Sequence, residues 1–152
     1  MEKRMDDTGL EELNSLWRDI DGAYHDLCVS LGLSGSAFDI LYALYSLGEG
    51  CHQSDICAWA FVGKQTVNTS IHKLVDQGYV TLGRAPRGRG KGIYLTDEGH
   101  AMMERLIAPV AQAEACALAS LGQDDCREAL RIMGAYAAEL RRRFAALPPV
   151  EA

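Results

Sequence analysis

Between residues 10 and 31 the apolar residues Leu10, Leu13, Trp17, Ile20, Tyr24, Leu27 and Leu31 recur at alternating steps of three and four. That spacing gathers them into one long stripe on a helix. Thr8 followed by Glu11 has the spacing of a capping box, so the helix is expected to start there and to end at Gly32. Ser34 is placed to cap a second helix with Phe38, Leu41, Tyr42, Leu44 and Tyr45 on its apolar face, broken by Gly48-Glu49-Gly50. Residues 53–61 read as a third helix with Ile56, Trp59 and Ala60 inward, and Val62-Gly63 as a tight turn. A fourth helix runs from Lys64 to Gln77 and stops at Gly78, the position where a left-handed residue closes a helix.

The period then changes. Tyr79-Val80-Thr81-Leu82 and Ile93-Tyr94-Leu95 have strand character, and the segment from Arg84 to Gly92 between them is rich in Gly and Arg, so the unit reads as a hairpin with a long tip. Thr96 is placed to cap a fifth helix that continues from Asp97 towards Leu121, kinked at Pro109. A sixth opens at Gln123 or Asp124 and carries Leu130, Met133, Ala137, Leu140 and Phe144 as its stripe up to Pro148-Pro149. The expected fold is mainly α, α+β by strict count: about six helices and a two-stranded hairpin.

Two helices joined by a tight turn and followed at once by a basic hairpin form a winged helix-turn-helix. On the fourth helix Val67, Ile71, Leu74 and Val75 share an inward arc, while Gln65, Thr69, His72, Lys73 and Asp76 share the opposite one, with Thr66 and Asn68 at its edges. Amides and hydroxyls suit the edges of base pairs, and Lys64 and Lys73 suit phosphates. The wing offers Arg84, Arg87, Arg89 and Lys91 without an acid among them, a composition that fits the electronegative minor groove.

Charge sharpens this picture. The chain of 152 residues has a formal net charge of −6, which if evenly spread would oppose nucleic acid. Residues 63–96, however, hold Lys64, Lys73, Arg84, Arg87, Arg89 and Lys91 against Asp76, leaving the acidic excess elsewhere. A basic island in an acidic body is the footprint of a polyanion partner. The first residues are polar and acidic where a signal peptide needs an apolar run, no stretch is apolar enough for a membrane span, and five scattered cysteines do not make a secreted disulfide framework. A cytoplasmic protein with no membrane partner is expected.

The sequence resembles the MarR family of bacterial regulators. The likeness is carried by Leu33-Ser34 with Phe38-Asp39-Ile40-Leu41, by Gln53-Ser54-Asp55-Ile56, by Lys64-Gln65-Thr66-Val67-Asn68, by Leu74-Val75-Asp76-Gln77-Gly78-Tyr79-Val80, and above all by Arg89-Gly90-Lys91-Gly92-Ile93-Tyr94-Leu95-Thr96-Asp97-Glu98-Gly99. The resemblance implies a single domain over residues 1–152, with a DNA-binding lobe at 34–97 and dimerisation helices at 8–32 and 98–147. It further implies a homodimer on a pseudo-palindromic operator of double-stranded DNA, a regulator that is commonly a repressor, and no cofactor. A small aromatic or lipophilic effector would sit between the dimer helices and the lobe, with Trp17, Tyr24, His25, Phe38, Tyr42 and Tyr45 as candidates. One departure stands out: members commonly place an acid two residues before the wing arginine, and here that position is Arg87, so Arg89 loses its usual brace and a mobile wing is expected.

Other chemistry is thinner. His25 and Cys28, and likewise His100 and Glu104, lie one helical turn apart, and Cys51-His52 stands near Cys57, but no tight Cys/His cluster appears and no metal site is assigned. Some relatives sense peroxide through a cysteine near the start of the first helix, whereas Cys28 is near its end. No nucleophile elbow, phosphate loop or metal motif supports an enzyme. A winged helix serving as a protein-interaction module is the remaining rival, and a redox- or metal-responsive regulator of the same fold is a variant of the first reading; the basic island favours DNA.

Overall fold

The computed structural model describes residues 5–148, and side chains from residue 9 onward. The described chain contains seven helices and one hairpin: α1 (Met5–Leu31), α2 (Gly35–Leu47), α3 (Gln53–Ala60), α4 (Lys64–Asp76), β1 (Val80–Arg84), β2 (Lys91–Leu95), α5 (Asp97–Leu106), α6 (Ala108–Ala119) and α7 (Gln123–Ala145). It falls into two units, Met1–Ala108 and Pro109–Ala152.

Two boundaries differ from the sequence expectation. The first helix begins at Met5, so Thr8 lies inside it rather than at its cap. A local capping pattern marks one possible start and does not fix it. The expected kinked fifth helix is two helices, interrupted at Ile107. Pro109 has no N–H with which to return a helical bond to the Arg105 carbonyl, but in the first turn of α6 that missing donor costs nothing.

The core of the first unit lies where α2, α3, α4, the hairpin and α5 meet. Ile40, Leu41, Ile56, Val67, Ile71, Ile93 and Ile107 are fully buried there. Each such side chain contributes about 1.5–3 kcal/mol through removal from water. Helix α2 touches α1, α3 and α4 at once, so it buries Phe38, Ile40, Leu41, Ala43 and Leu44, which is more than a stripe, while Tyr45 faces outward. Ser34 caps it as expected, its hydroxyl accepting from the Ala37 N–H at 3.2 Å.

The chain leaves α4 through Gly78, at φ 78°, with Gly78 N–H donating to Val75 O and Tyr79 N–H to Leu74 O, both at 2.9 Å. Paired bonds of this kind close the helix and aim the chain into β1. Thr96 ties the far end of the hairpin to this turn. Its N–H donates to Tyr79 O at 3.1 Å and its hydroxyl to Gly78 O at 2.6 Å, while the same hydroxyl accepts from Gly99 N–H at 3.0 Å. One threonine therefore caps α5 and closes the hairpin onto α4.

Gly99 is packed so tightly against this knot that a Cβ there would overlap the Tyr79 carbonyl oxygen. Gly99→Ala is expected to destabilise the protein by about 3 kcal/mol, because backbone rather than a flexible side chain must give way. Gly35→Ala, with open space around it, should stay within about 0.5 kcal/mol of wild type in the same denaturant titration.

Candidate nucleic-acid interface

Helix α4 meets the core through Val67 and Ile71, which are fully buried, with Leu74 and Val75 half-buried beside them. That fixes its rotation. Lys64, Gln65, Thr66, Asn68, Thr69, His72 and Lys73 are all exposed. The turn before it is wider than expected: Phe61 closes α3 in the left-handed region, at φ 54°, and Val62-Gly63 follow. Phe61 is 88% exposed, so neither its ring nor its backbone is there for the core.

The hairpin ladder is longer than the strand propensities implied. It pairs Val80 with Leu95, Thr81 with Tyr94, Leu82 with Ile93, Gly83 with Gly92 and Arg84 with Lys91. Arg84 and Lys91 therefore stand directly across from each other at the base of a six-residue tip, residues 85–90. Like charges facing across a ladder oppose pairing. Bonds to the backbone offset this: Tyr94 Oη donates to Arg84 O at 2.6 Å, Ala85 N–H to Gly90 O at 3.4 Å, Gly50 N–H to Ile93 O at 2.7 Å and Ile93 N–H to Cys51 O at 3.0 Å.

Among the described residues no carboxylate lies within ion-pairing distance of Arg84, Arg87, Arg89 or Lys91. The tip is nonetheless braced. His52, the cap of α3, sets Nε2 2.9 Å from the Arg87 carbonyl oxygen and Nδ1 3.2 Å from that of Lys91. The missing acid is thus answered from another element, a tie absent from the sequence expectation of an unbraced wing.

Between α3, α4 and the hairpin opens a cleft of about 410 Å³, lined by His52, Gln53, Ser54, Lys64, Asn68, His72, Leu82 and Lys91. It brings together four expected residues, Lys64, Asn68, His72 and Lys91, and adds three that were not among the expected DNA-binding residues: His52, Gln53 and Ser54. No acid lines it. Gln65, Thr66 and Thr69 are exposed on α4 outside the cleft lining, and Arg84, Arg87 and Arg89 are exposed on the wing. Lys73 is not with them; it lines a second cleft of about 340 Å³ that includes Leu41, Leu74, Met102 and Arg105.

Residues 31–89 match the model of the MarR family. That segment, the winged-helix part of the chain, is similar to the MarR family. A MarR family regulator from Neisseria meningitidis shares the fold at a TM-score of 0.71 and 21% identity, covering 91% of this chain and 96% of its own. Staphylococcus aureus MarR, solved in complex with salicylate and kanamycin, follows at 0.67 and 15%, covering 92% and 95%. Bordetella bronchiseptica BpsR, whose DNA binding is regulated by 6-hydroxynicotinic acid, follows at 0.59 and 17%, covering 83% and 91%. No curated protein matches the sequence.

Within this winged-helix fold the six effector candidates divide. Tyr24, Phe38, Tyr42 and Tyr45 form a run of rings with successive centroids 6.1, 5.7 and 6.2 Å apart, joined by Trp59 stacked on Tyr42 at 5.7 Å. Trp59, expected inward, is 41% exposed because its ring lies along Tyr42. Trp17 and His25 are exposed and make no ring contact in this run. Neither of the two clefts is lined by any of the six.

The paired metal-ligand spacings do not converge. His100 Nε2 lies 2.7 Å from Glu49 Oε1 instead of meeting Glu104, and His25 is exposed while Cys28 is buried. Among the described residues no group of three or more His, Cys, Asp or Glu could hold a metal ion. Burial, and then the nearby Asp39 charge, push the Cys28 thiol up from its ordinary range; burial and then Asp55 do the same for Cys51. A reactive thiolate needs the opposite shift. At neutral pH both thiols should be alkylated about tenfold or more slowly than free cysteine, measured by mass spectrometry of the timed reaction with iodoacetamide.

Proposed function

We propose that the chain is a homodimeric, sequence-specific DNA-binding transcription regulator, a repressor released by a small aromatic or lipophilic effector, working in the cytoplasm and without catalytic activity. The observation that carries the reading is the acid-free cleft between α3, α4 and the wing, together with the facing pair Arg84 and Lys91 at the wing's base. A protein that holds like charges opposite each other gains most from a partner that neutralises both. Double-stranded DNA supplies phosphates on both sides of a groove.

In this reading Gln65, Thr66, Asn68 and Thr69 face base edges, and Lys64 and His72 meet phosphates along the cleft. Arg84, Arg87, Arg89 and Lys91 enter the adjacent minor groove. Lys73, on another cleft, contributes less to affinity than Lys64. The lobe at 34–97 is the DNA-binding part, and 8–32 and 98–147 supply the dimer. Support for the dimer comes from apolar side chains that the single chain leaves open: Leu10, Trp17 and Ile20 on α1, and Leu130, Ile132 and Phe144 on α7, where no residue is buried. Faces of this kind on long helices call for a second subunit. Among the described residues no single helix is long and apolar enough to cross a membrane.

Support for the effector comes from the structural neighbours solved with salicylate or regulated by 6-hydroxynicotinic acid, and from the aromatic run through Tyr24, Phe38, Tyr42 and Tyr45. The fold by itself allows a protein-interaction module, and salt separates the two. Binding to operator fragments should weaken about a thousandfold between low and moderate salt, followed by fluorescence anisotropy. Arg87→Ala and Arg89→Ala should each weaken all sequences alike and lower the salt slope by about one for every phosphate no longer neutralised. Gln65→Ala or Asn68→Ala should instead cost about 1–3 kcal/mol of discrimination at one base pair with nonspecific binding nearly unchanged. Salt-insensitive binding would sink the DNA reading. For the dimer, Leu130→Glu should shift sedimentation towards a monomer; an unchanged dimer would remove α7 from the interface.

A further inference from the structure

His52 sits where two requirements meet. Its backbone N–H donates to Asp55 Oδ2 at 2.8 Å, so the start of α3 is held by the Asp55 carboxylate, and the His52 ring is left to turn towards the wing. There both ring nitrogens face acceptors, the carbonyl oxygens of Arg87 at 2.9 Å and Lys91 at 3.2 Å. A neutral imidazole has one N–H and one lone pair, so it satisfies one carbonyl and sets a lone pair against the other; an imidazolium donates to both. A change of tautomer only moves the conflict to the other carbonyl, because both partners only accept.

We propose that His52 is a positioning residue for the wing: as imidazolium it clips the tip at Arg87, and β2 at its first residue Lys91, to the start of α3, and its deprotonation releases one of the two. This rests on the DNA-binding reading above. The two carbonyls flank Gly88, Arg89 and Gly90, and a Cβ at Gly88 or Gly90 would already come within 3.6 and 3.7 Å of the ring. That spacing is ordinary contact; it is the backbone at φ 74° and 126° that calls for glycine at 88 and 90, and it lets the tip fold onto the imidazole while the Arg87 and Arg89 side chains stay exposed.

The charged and titratable groups around the ring are Asp55 on α3, Lys64 and His72 on α4, Lys91 on β2, and Arg87 and Arg89 on the tip. Histidine side chains exchange charge between about pH 5 and pH 8. The sign follows from the bonds: the clipped wing holds the proton, so lowering the pH favours the clipped wing and strengthens DNA binding, and raising it does the reverse. The proton on His52 acts on protein carbonyls and adds no phosphate contact, whereas a proton on His72 would face the cleft.

The test is amide hydrogen exchange of residues 84–92 in the DNA-free protein, wild type against His52→Gln, at about pH 6 and about pH 8. Gln keeps a donor and does not titrate. His52→Asn, a better helix cap, serves as the second variant, and thermal melts confirm folding. The rate ratio of variant to wild type at each pH cancels the intrinsic pH dependence of exchange. The expected ratio is about fivefold or more at the lower pH, falling towards one at the higher. A ratio that does not change with pH, or no difference at either pH, overturns the proposal.

DNA titrations at the same two pH values read the consequence. Wild type should tighten as pH falls, and His52→Gln should lose that gain with an unchanged salt slope. If the gain instead disappears in His72→Gln together with a shallower salt slope, direct phosphate contact carries the pH dependence and the positioning role fails. The exchange contrast with no DNA binding at any pH would sink the DNA reading while leaving the clip in place.

Discussion

The hairpin is grafted onto the helical lobe through the backbone of residues 50 and 51. Gly50 donates to the Ile93 carbonyl and Ile93 donates to that of Cys51, so two backbone bonds tie the loop between α2 and α3 to the middle of β2. Ile93 is at the same time fully buried in the core. Everything that the candidate interface needs is referred to this junction. It sets the distance from the wing to α4, hence the width of the cleft, and it brings the first residue after the junction, His52, beneath the tip. A hairpin of two strands is marginal in water; this one stands because a third stretch of backbone and a buried isoleucine hold it.

The second organising fact is how the tip is tethered. A guanidinium braced by a carboxylate would give up part of its positive field inside the protein. Here the ties run to carbonyl oxygens of Arg84, Arg87, Gly90 and Lys91, which are neutral, so the side-chain charges of the wing stay uncompensated while its backbone is held. The arrangement separates holding the loop from charging it. The α4 helix is organised differently: two buried residues, Val67 and Ile71, fix its rotation, and the face that results is polar and only lightly charged.

How far the sequence exposed this follows the range of each interaction. The caps at Ser34 and Thr96, the stop at Gly78 and the inward pair Val67 and Ile71 rest on contacts within a turn or two, and spacing along the chain shows those directly. The contacts that spacing could not show link distant positions: His52 is 35 residues from Arg87 and 39 from Lys91, and His100 pairs with Glu49 from another element instead of with Glu104 on its own helix. Trp59 is a related case. Helical periodicity put an indole inward, but a ring that can lie flat on Tyr42 satisfies its apolar faces at the surface. The absent acid at Arg87 was legible; that an imidazole from α3 takes over the bracing was not, because no local pattern connects a helix cap to a hairpin tip.

Gly83 and Gly92, which face each other in the ladder just below the charged pair, have a bearing on how such a protein changes its target over evolutionary time. A Cβ on Gly92 would press on Gly50 and Ala85 backbone, and one on Gly83 would meet the Tyr94 ring. Gly92 is therefore closed to a larger residue on sterics alone, and one at Gly83 requires the Tyr94 ring to shift. Beyond it Arg87 and Arg89 project into open solvent, where a change of side chain disturbs nothing that holds the fold. Variation is channelled into the charged tip and kept out of the residues that aim it, so a lineage built on this hairpin can change how strongly its wing attracts a partner without first losing its shape.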